Sequence, residues 1–166
     1  MPIRIFASFD TKHDRELYEQ LLAQSSLAGS SFTVSAGSKP YDGEDEVWRE
    51  RTQRKIREAD QVIIVCGEAT DVAIGVFSEL KIVQEEGTPY ILLWGRRDRM
   101  CTKPDGAKST EGMYSWTQPI LEDQLDRLAR VAAKDAEASK LGNRRASSAK
   151  PASRSAAPPS GPEADS

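Results

Sequence analysis

The stretch from Gln61 to Leu93, QVIIVCGEATDVAIGVFSELKIVQEEGTPYILL, decides the fold. It opens with a continuous apolar run, 62–66, that is rich in β-branched residues and typical of a strand buried on both faces. Gly87 ends the helical pattern that follows, and the apolar run 89–93 predicts a second buried strand. Because strand, helix and strand joined by short links form a right-handed βαβ unit, the sequence predicts a parallel sheet.

The helix between these two strands carries the acidic residue on which the functional hypothesis depends. Ile74, Phe77, Leu80 and Val83 recur at helical spacing and predict its buried face. Glu79 lies in the middle of the helix beside Phe77 and Leu80, so we expect it to be partly buried, where an acid is more often functional. The simpler alternative is an acid that faces solvent or pairs with a nearby Lys or Arg.

The chain on either side of this unit completes a doubly wound α/β fold. Residues 3–9 and 32–35 predict the first two strands, and 114–116 a short edge strand. Helices are predicted after an N-cap at Asp14 or Thr11, over 45–58, and from Pro119 onward. This order predicts a flavodoxin-like three-layer sandwich with a mainly parallel sheet. The residues predicted to face inward are Leu17, Leu21 and Leu22 in the first helix, Val47, Trp48, Thr52, Ile56 and Ala59 in the next, and Ile120, Leu121, Leu125, Leu128 and Val131 in the last.

The last 31 residues differ in composition from the rest of the chain. From residue 136 onward they are mainly Ala, Ser, Pro, Arg and Lys, and Leu141 is their one large apolar residue. Such a segment buries too little surface to offset its chain entropy. The sequence therefore predicts one domain over residues 1–135 and a disordered, basic tail over 136–166.

Charge, hydropathy and cysteine content exclude several classes of protein. A net charge of −3 disfavours specific nucleic-acid binding. No apolar run is long enough for a membrane span, and the N-terminus lacks a signal-peptide core. Cys66 and Cys101 form neither a metal-ligand spacing nor a disulfide framework. A cytoplasmic protein with no membrane contact is expected.

In doubly wound sheets, ligands bind at the carboxyl ends of the strands. The loops there supply hydroxyls, backbone N–H groups and Arg cations, which suit a nucleotide or another phosphate ligand. The sequence contains neither GxGxxG after the first strand nor GxxxxGK[ST], so neither a Rossmann site nor a P-loop is supported. The segments selected by this rule are Ser8, Phe9 and Asp10, residues 36–43, Gly67 to Thr70, and Trp94 to Arg97.

The one histidine of the chain, His13, lies between two acids. Asp10, His13 and Asp14 could bind a metal ion. A helix-capping Asp14 beside an exposed His13 explains the same residues without one, so no metal site is predicted.

Three segments resemble TIR and TIR-like domains. Residues 5–9, IFASF, are similar to the first strand of these domains. Trp48, Ile56 and Asp60, together with 62–70 (VIIVCGEAT), resemble the bacterial and archaeal TIR-like branch that includes the TIR partner of Thoeris antiphage systems. Residues 76–80, VFSEL, resemble the segment in which TIR enzymes carry their catalytic glutamate. The resemblance spans about residues 3–93 and leaves out the tail.

This resemblance implies an enzyme that cleaves the nicotinamide–ribose bond of NAD and releases ADP-ribose or a cyclic isomer, in antiphage signalling. Glu79 would be catalytic, and NAD would be a substrate, so no cofactor is expected. One carboxylate suffices because the ribose develops oxocarbenium character while nicotinamide leaves as a neutral molecule. Residues 36–46 would flank the opening. The residues expected to bind the substrate are Phe6, Ser8, Phe9, Asp10, Gly67 and Thr70.

The sequence also departs from the TIR pattern. Ala73 and Gly75 stand where TIR enzymes often have a serine and an aromatic residue, which predicts a thinner wall on the substrate side. A second hypothesis is therefore a non-catalytic TIR-like module that binds copies of itself or a partner protein. A third is another nucleotide-processing enzyme of the same fold, similar to nucleoside deoxyribosyltransferases. Self-association is expected for either of the first two.

Overall fold

A computed structural model describes residues 2–43 and 45–154, with side chains described as far as residue 141. The chain divides into two compact units, 1–128 and 129–166, and the first contains the sheet. Its strands are β1 (Ile3–Ser8), β2 (Phe32–Gly37), β3 (Gln61–Cys66), β4 (Tyr90–Trp94) and β5 (Met113–Ser115). The helices are α1 (Arg15–Ser25), α2 (Glu46–Glu58), α3 (Ile74–Glu86) and α4 (Gln118–Arg154), and a 3₁₀ turn spans Thr70–Val72.

The five strands lie in the order β2-β1-β3-β4-β5, and every neighbouring pair is parallel. The predicted doubly wound, flavodoxin-like α/β fold is confirmed. The strand order reverses between β1 and β3, because the chain moves outward to β2 on one side and to β4 on the other. Ligand sites of such sheets lie outside the carboxyl ends of the strands at this switch point.

The core lies on both faces of the sheet. In β3 all six residues are buried, as the continuous apolar run predicts. Ile63 and Val65 belong to a cluster with α1 and the start of α4, whereas Val62 and Ile64 belong to a cluster with α2 and α3. This alternation follows from the two-residue period of a strand, and it gives the three-layer arrangement.

The buried face of α3 differs from the prediction. Ile74 is 64% exposed and Phe77 is 38% exposed, whereas Val76 is buried with the predicted Leu80 and Val83. Residues 76, 79, 80 and 83 form the inward face at helical spacing. The expected burial of Glu79 is confirmed, whereas Ile74 and Phe77 were wrongly placed on the inward face because the prediction of that face followed apolar residues alone.

Three other residues expected in the core are exposed. Val47 falls off the stripe that the buried Thr52 and Ile56 define on α2. On α4, Ile120 is 36% exposed beside the fully buried Leu121, and Val131 is exposed in the second unit. Each of the three is an apolar residue that lies beside the buried stripe of its helix but does not belong to it.

The helix ends confirm one predicted feature and correct another. Gly87 ends α3 with φ 70°, a conformation that favours glycine. Asp14 occupies the N-cap position of α1, as predicted, but its side chain makes no capping hydrogen bond to the helix; its Oδ1 accepts one from Arg96 at 3.0 Å instead. In the segment that follows β4, strand β5 begins at Met113, one residue earlier than predicted.

The second unit begins within α4. The helix continues to Arg154, and every side chain described between residues 129 and 141 is exposed. The tail predicted over 136–166 thus adds no described side chain to a core, as its composition implies. Its residues 155–166 lie outside the part that the structure describes. None of the helices among the described residues is both long and apolar enough to cross a membrane.

Two adjacent residues test how the start of α4 packs. Leu121 is 0% exposed and Ile120 is 36% exposed. We expect Leu121→Ala to lower the free energy of unfolding by about 2–5 kcal/mol, because it leaves a cavity in the core. Ile120→Ala, the matched control, should cost less than about 1 kcal/mol. Chemical denaturation of both variants checks this, and equal losses would contradict the packing described.

Candidate functional site

Glu79 is a buried acid held by two serine hydroxyls. Its side chain projects from α3, and the residue is 3% exposed. Its Oε1 accepts a hydrogen bond from Ser8 Oγ at 2.7 Å and another from Ser38 Oγ at 2.6 Å. Neither a solvent-facing acid nor an ion pair describes this residue, so the simpler alternative considered for it is wrong.

Parallel pairing of β1 with β2 brings the two serines together. Ser8 is the last residue of β1, and Ser38 directly follows β2. The backbone N–H of Ser38 donates to the carbonyl of Ala7 at 3.0 Å, so the pairing continues past the end of β2. The hydroxyl of Ser38 accepts from the backbone N–H of Phe9 at 3.0 Å, which leaves its one proton for Glu79.

Ser38 was not singled out from the sequence. It lay within the predicted loop 36–43, but one serine in a long polar segment has no local signal that marks it. The signal would have been its position immediately after a strand that neighbours β1, which becomes visible only once the strand order is known.

The environment of Glu79 changes its protonation. Burial raises the pKa of Glu79 to about 7, against the hydrogen bonds from Ser38 and Ser8 and the attraction of Lys55, which lower it. Both serines donate to Oε1, and no residue that the structure describes donates to Oε2. The proton of the neutral form therefore lies on Oε2, and near neutral pH this oxygen both gains and loses it.

Two cavities meet at Glu79. The first has a volume of about 420 Å3 and the second about 470 Å3. Glu79 lines both of them, together with Lys39, Asp42 and Gly43 of the loop after β2. The first is completed by α2 and the second by the loop after β1 and the start of α3. Further residues of the first cavity are Phe6, Trp48, Arg51 and Lys55, and of the second Phe9, Asp10, His13, Tyr41, Val72 and Ile74.

The structure brings four of the six predicted substrate-binding residues to this site. Phe6 lines the first cavity, Phe9 and Asp10 line the second, and Ser8 bonds to Glu79. The remaining two, Gly67 and Thr70, line neither cavity. The backbone N–H of Gly67 donates to the hydroxyl of the buried Thr70 at 2.7 Å, which closes the turn between β3 and α3. Substrate contact stays a prediction for all six residues.

An aromatic residue covers the position at which a thin wall was expected. A Cβ atom on Gly75 would lie 3.0 Å from Cβ of Tyr41, so the glycine gives this side chain room. The Tyr41 ring meets the edge of Trp48, with ring centroids 5.1 Å apart. The loop after β2 thus supplies the aromatic wall that α3 lacks at Ala73 and Gly75.

The three residues considered for a metal site are divided between two interactions. Asp10 Oδ2 lies 2.7 Å from His13 Nδ1, and this pair borders the second cavity. Asp14 is buried, and its Oδ1 forms an ion pair with Arg96 at 3.0 Å. Burial raises the pKa of Asp14, although Arg96 lowers it. Across 2–43 and the described side chains from 45 to 141, no three His, Cys, Asp or Glu residues are grouped as metal ligands.

The last of the predicted strand-end loops lies at a separate cavity. Trp94 to Arg97 border a space of about 810 Å3, together with Trp116 and residues of α1, and Glu79 is not among its lining residues. Arg96 is held there by Glu16 at 2.8 Å as well as by Asp14. This loop therefore does not contribute to the site around Glu79.

The fold and site define a doubly wound α/β protein with a buried carboxylate beside two cavities at the strand ends. No family model and no curated protein sequence matches the chain. Among solved structures, the crystal structure of a prokaryotic SEFIR domain is similar, with a TM-score of 0.44 and 18% identity over 77% of this chain and 90% of that one. A similarity this low assigns neither a family nor an activity.

The raised pKa of Glu79 predicts how stability changes with pH. The pKa is about 7 in the folded protein and 4.5 for an unperturbed Glu, so the stabilising protonated form is complete below about 4.5 and is lost as the pH rises through 7. Glu79→Gln keeps an oxygen that accepts both serine hydroxyls but has no charge to bury. At pH 8 we expect this variant to be more stable than wild type by up to about 3 kcal/mol, and at pH 4.5 about equal.

Denaturant titrations of both proteins at pH 4.5, 6 and 8 check this expectation. Other titrating groups cancel in the difference between the two proteins. A difference in unfolding free energy that stays constant with pH would show that Glu79 titrates normally.

Proposed function

We propose that this protein is a TIR-like enzyme that cleaves the nicotinamide–ribose bond of NAD, with Glu79 as the catalytic carboxylate. One observation carries the proposal: a carboxylate that is 3% exposed borders two cavities at the carboxyl ends of the strands. Burial of this acid destabilises the folded protein at neutral pH, and an acid kept at such a cost is more often functional than structural.

The chemistry suits a single buried carboxylate. Cleavage leaves positive charge on the ribose, and the bond electrons leave with nicotinamide, which becomes neutral. A carboxylate in a site shielded from water stabilises that charge more strongly than it would in solution. Ser8 and Ser38 fix Glu79 through Oε1, so Oε2 is the atom available for a hydroxyl of the sugar.

The first cavity supports a ligand that carries phosphates. Lys39, Arg51 and Lys55 line it together with Asp42, Asp45 and Glu79, and no ion pair joins any of the three cations to another residue that the structure describes. Cations at a cavity wall that form no close ion pair suit phosphate oxygens. The aromatic side chains of Phe6 and Trp48 add apolar surface for a ring. Both features agree with a dinucleotide placed with its phosphates on one side of Glu79.

The resemblance of residues 76–80 to the catalytic segment of TIR enzymes points to the same residue as the geometry does. A role in antiphage signalling in the cytoplasm, as for Thoeris TIR proteins, forms part of this proposal. It predicts that the product, ADP-ribose or a cyclic isomer, has a downstream receptor.

Concentrated purified protein should consume NAD in a manner that depends on Glu79. Glu79→Gln should lower the rate about a hundred-fold or more, because the neutral amide cannot stabilise the cationic sugar. Glu85→Gln, on the exposed side of the same helix, should keep the wild-type rate. Chromatography of the products measures NAD loss and separates ADP-ribose from a cyclic isomer.

The pH dependence provides an independent check. Because the ionised carboxylate is the active form, kcat/KM should rise with pH and level off above about pH 7, the pKa of Glu79 in the free enzyme. An NAD-cleaving protein unaffected by Glu79→Gln would contradict the assignment of the residue. Cleavage of deoxyribonucleosides without cleavage of NAD would indicate the deoxyribosyltransferase-like alternative.

A second candidate function, a module that associates with copies of itself, is favoured by an exposed apolar surface. Val72, Ile74 and Phe77, at the start of α3, are 72%, 64% and 38% exposed. Apolar side chains clustered in this way on a small domain are typical of protein contacts. This function needs no chemistry from Glu79.

A substitution within this surface tests self-association. Ile74→Asp should weaken it ten-fold or more, since burying an isoleucine contributes about 1.5–3 kcal/mol and a buried Asp opposes contact. Leu27→Asp, an exposed apolar position outside this surface, serves as the control. Sedimentation velocity over a range of concentrations measures the association. A wild-type protein that stays monomeric at the highest concentration would rule out this function.

A further inference from the structure

A second polar pair borders the cavity that contains Glu79. Asp10 Oδ2 and His13 Nδ1 are 2.7 Å apart, and both residues line the second cavity with Glu79. Asp10 is nearly buried, whereas the His13 side chain is 63% exposed. The second cavity therefore combines a buried carboxylate with an imidazole that is open to solvent.

The neighbours of this pair determine which nitrogen of His13 is free. Oδ1 of Asp10 accepts the backbone N–H of Lys12 at 3.0 Å. Asp10 Oδ2 then requires a donor, so His13 Nδ1 carries the proton and Nε2 is left with a lone pair. The carbonyl of His13 accepts a hydrogen bond from Arg96 at 3.0 Å, which fixes the backbone beneath the ring. A base oriented by a carboxylate is the arrangement that hydrolytic sites use.

We propose that His13 is the general base that activates water in the reaction assigned to Glu79, and that Asp10 positions it. The inference rests on the proposed function and deepens it, because it names the acceptor. A base that activates water gives hydrolysis, so the product is linear ADP-ribose rather than a cyclic isomer.

The step balances without a further reactant. The bond between ribose C1′ and the nicotinamide nitrogen breaks, and its electron pair leaves with nicotinamide, which becomes neutral. The water oxygen forms a new bond to C1′, and its proton passes to Nε2 of His13. The resulting imidazolium is stabilised by Asp10 and returns the proton to solvent.

The two groups divide the work according to their burial. Glu79 is enclosed by Ser8, Ser38 and the sheet. A carboxylate in this position can stabilise the positive charge on the ribose but has little contact with bulk water. The His13 side chain lines the same cavity and is 63% exposed, so it has access to water. Each residue is therefore placed in the environment that its role requires.

The test distinguishes a variant that lacks only the general base from a variant whose site no longer cleaves NAD. Asn at position 13 keeps an amide N–H for Asp10 but has no basic nitrogen. His13→Asn should lower the rate of ADP-ribose formation about ten-fold or more, in line with general-base catalysis. Sodium azide has no proton to lose when it attacks C1′. In the presence of azide, the variant should form ADP-ribosyl azide at the wild-type rate.

A second variant and a control complete the experiment. Asp10→Asn should also lower hydrolysis, because the uncharged amide no longer stabilises the imidazolium that forms on His13. Arg15→Gln, on the exposed side of α1, should match wild type in both reactions. Chromatography gives both products from one incubation.

Three results would overturn the inference. Unchanged hydrolysis in His13→Asn would show that no base is needed at this position. Loss of both hydrolysis and azide transfer would show that His13 supports the structure or binds NAD instead. A wild-type protein that leaves NAD intact would overturn the proposed function and this inference together, and only that result affects both.

Discussion

Parallel pairing on both sides of β1 brings the carboxyl ends of β2, β1 and β3 to one edge of the sheet, and the site follows from it. Because β1 lies between β2 and β3, Ser8 and Ser38 end side by side, within reach of the helix that follows β3. Without this pairing Glu79 would be a buried acid with no donors. The hydroxyls reduce the cost of its burial but do not remove it, since its pKa stays near 7.

A buried acid whose pKa is about 7 weakens the fold at neutral and higher pH. Three apolar neighbours on the same helix face, Val76, Leu80 and Val83, supply the packing that tolerates it. Proteins accept such local losses of stability at functional sites more often than elsewhere.

The site is asymmetric in its chemistry. Arg51 and Lys55 line only the first cavity, whereas only the second contains the pair formed by Asp10 and His13. Val72 and Ile74, part of the exposed apolar surface, also line the second cavity. Contacts made by that surface would therefore change access to Glu79. The two proposed functions, enzymatic and self-associating, are coupled in this way.

The sequence by itself determined the order of strands and helices and the parallel sheet, because these depend on local hydrophobic runs and on glycine stops. It did not determine which face of α3 is buried, since apolar residues surround more than one side of that helix. The tertiary structure alone decided that Ser38 donates a hydrogen bond to Glu79, that Asp14 accepts one from Arg96, and that Tyr41 packs over Gly75. Each of these contacts joins segments that are distant in the chain, and no local pattern encodes a distance across the sheet.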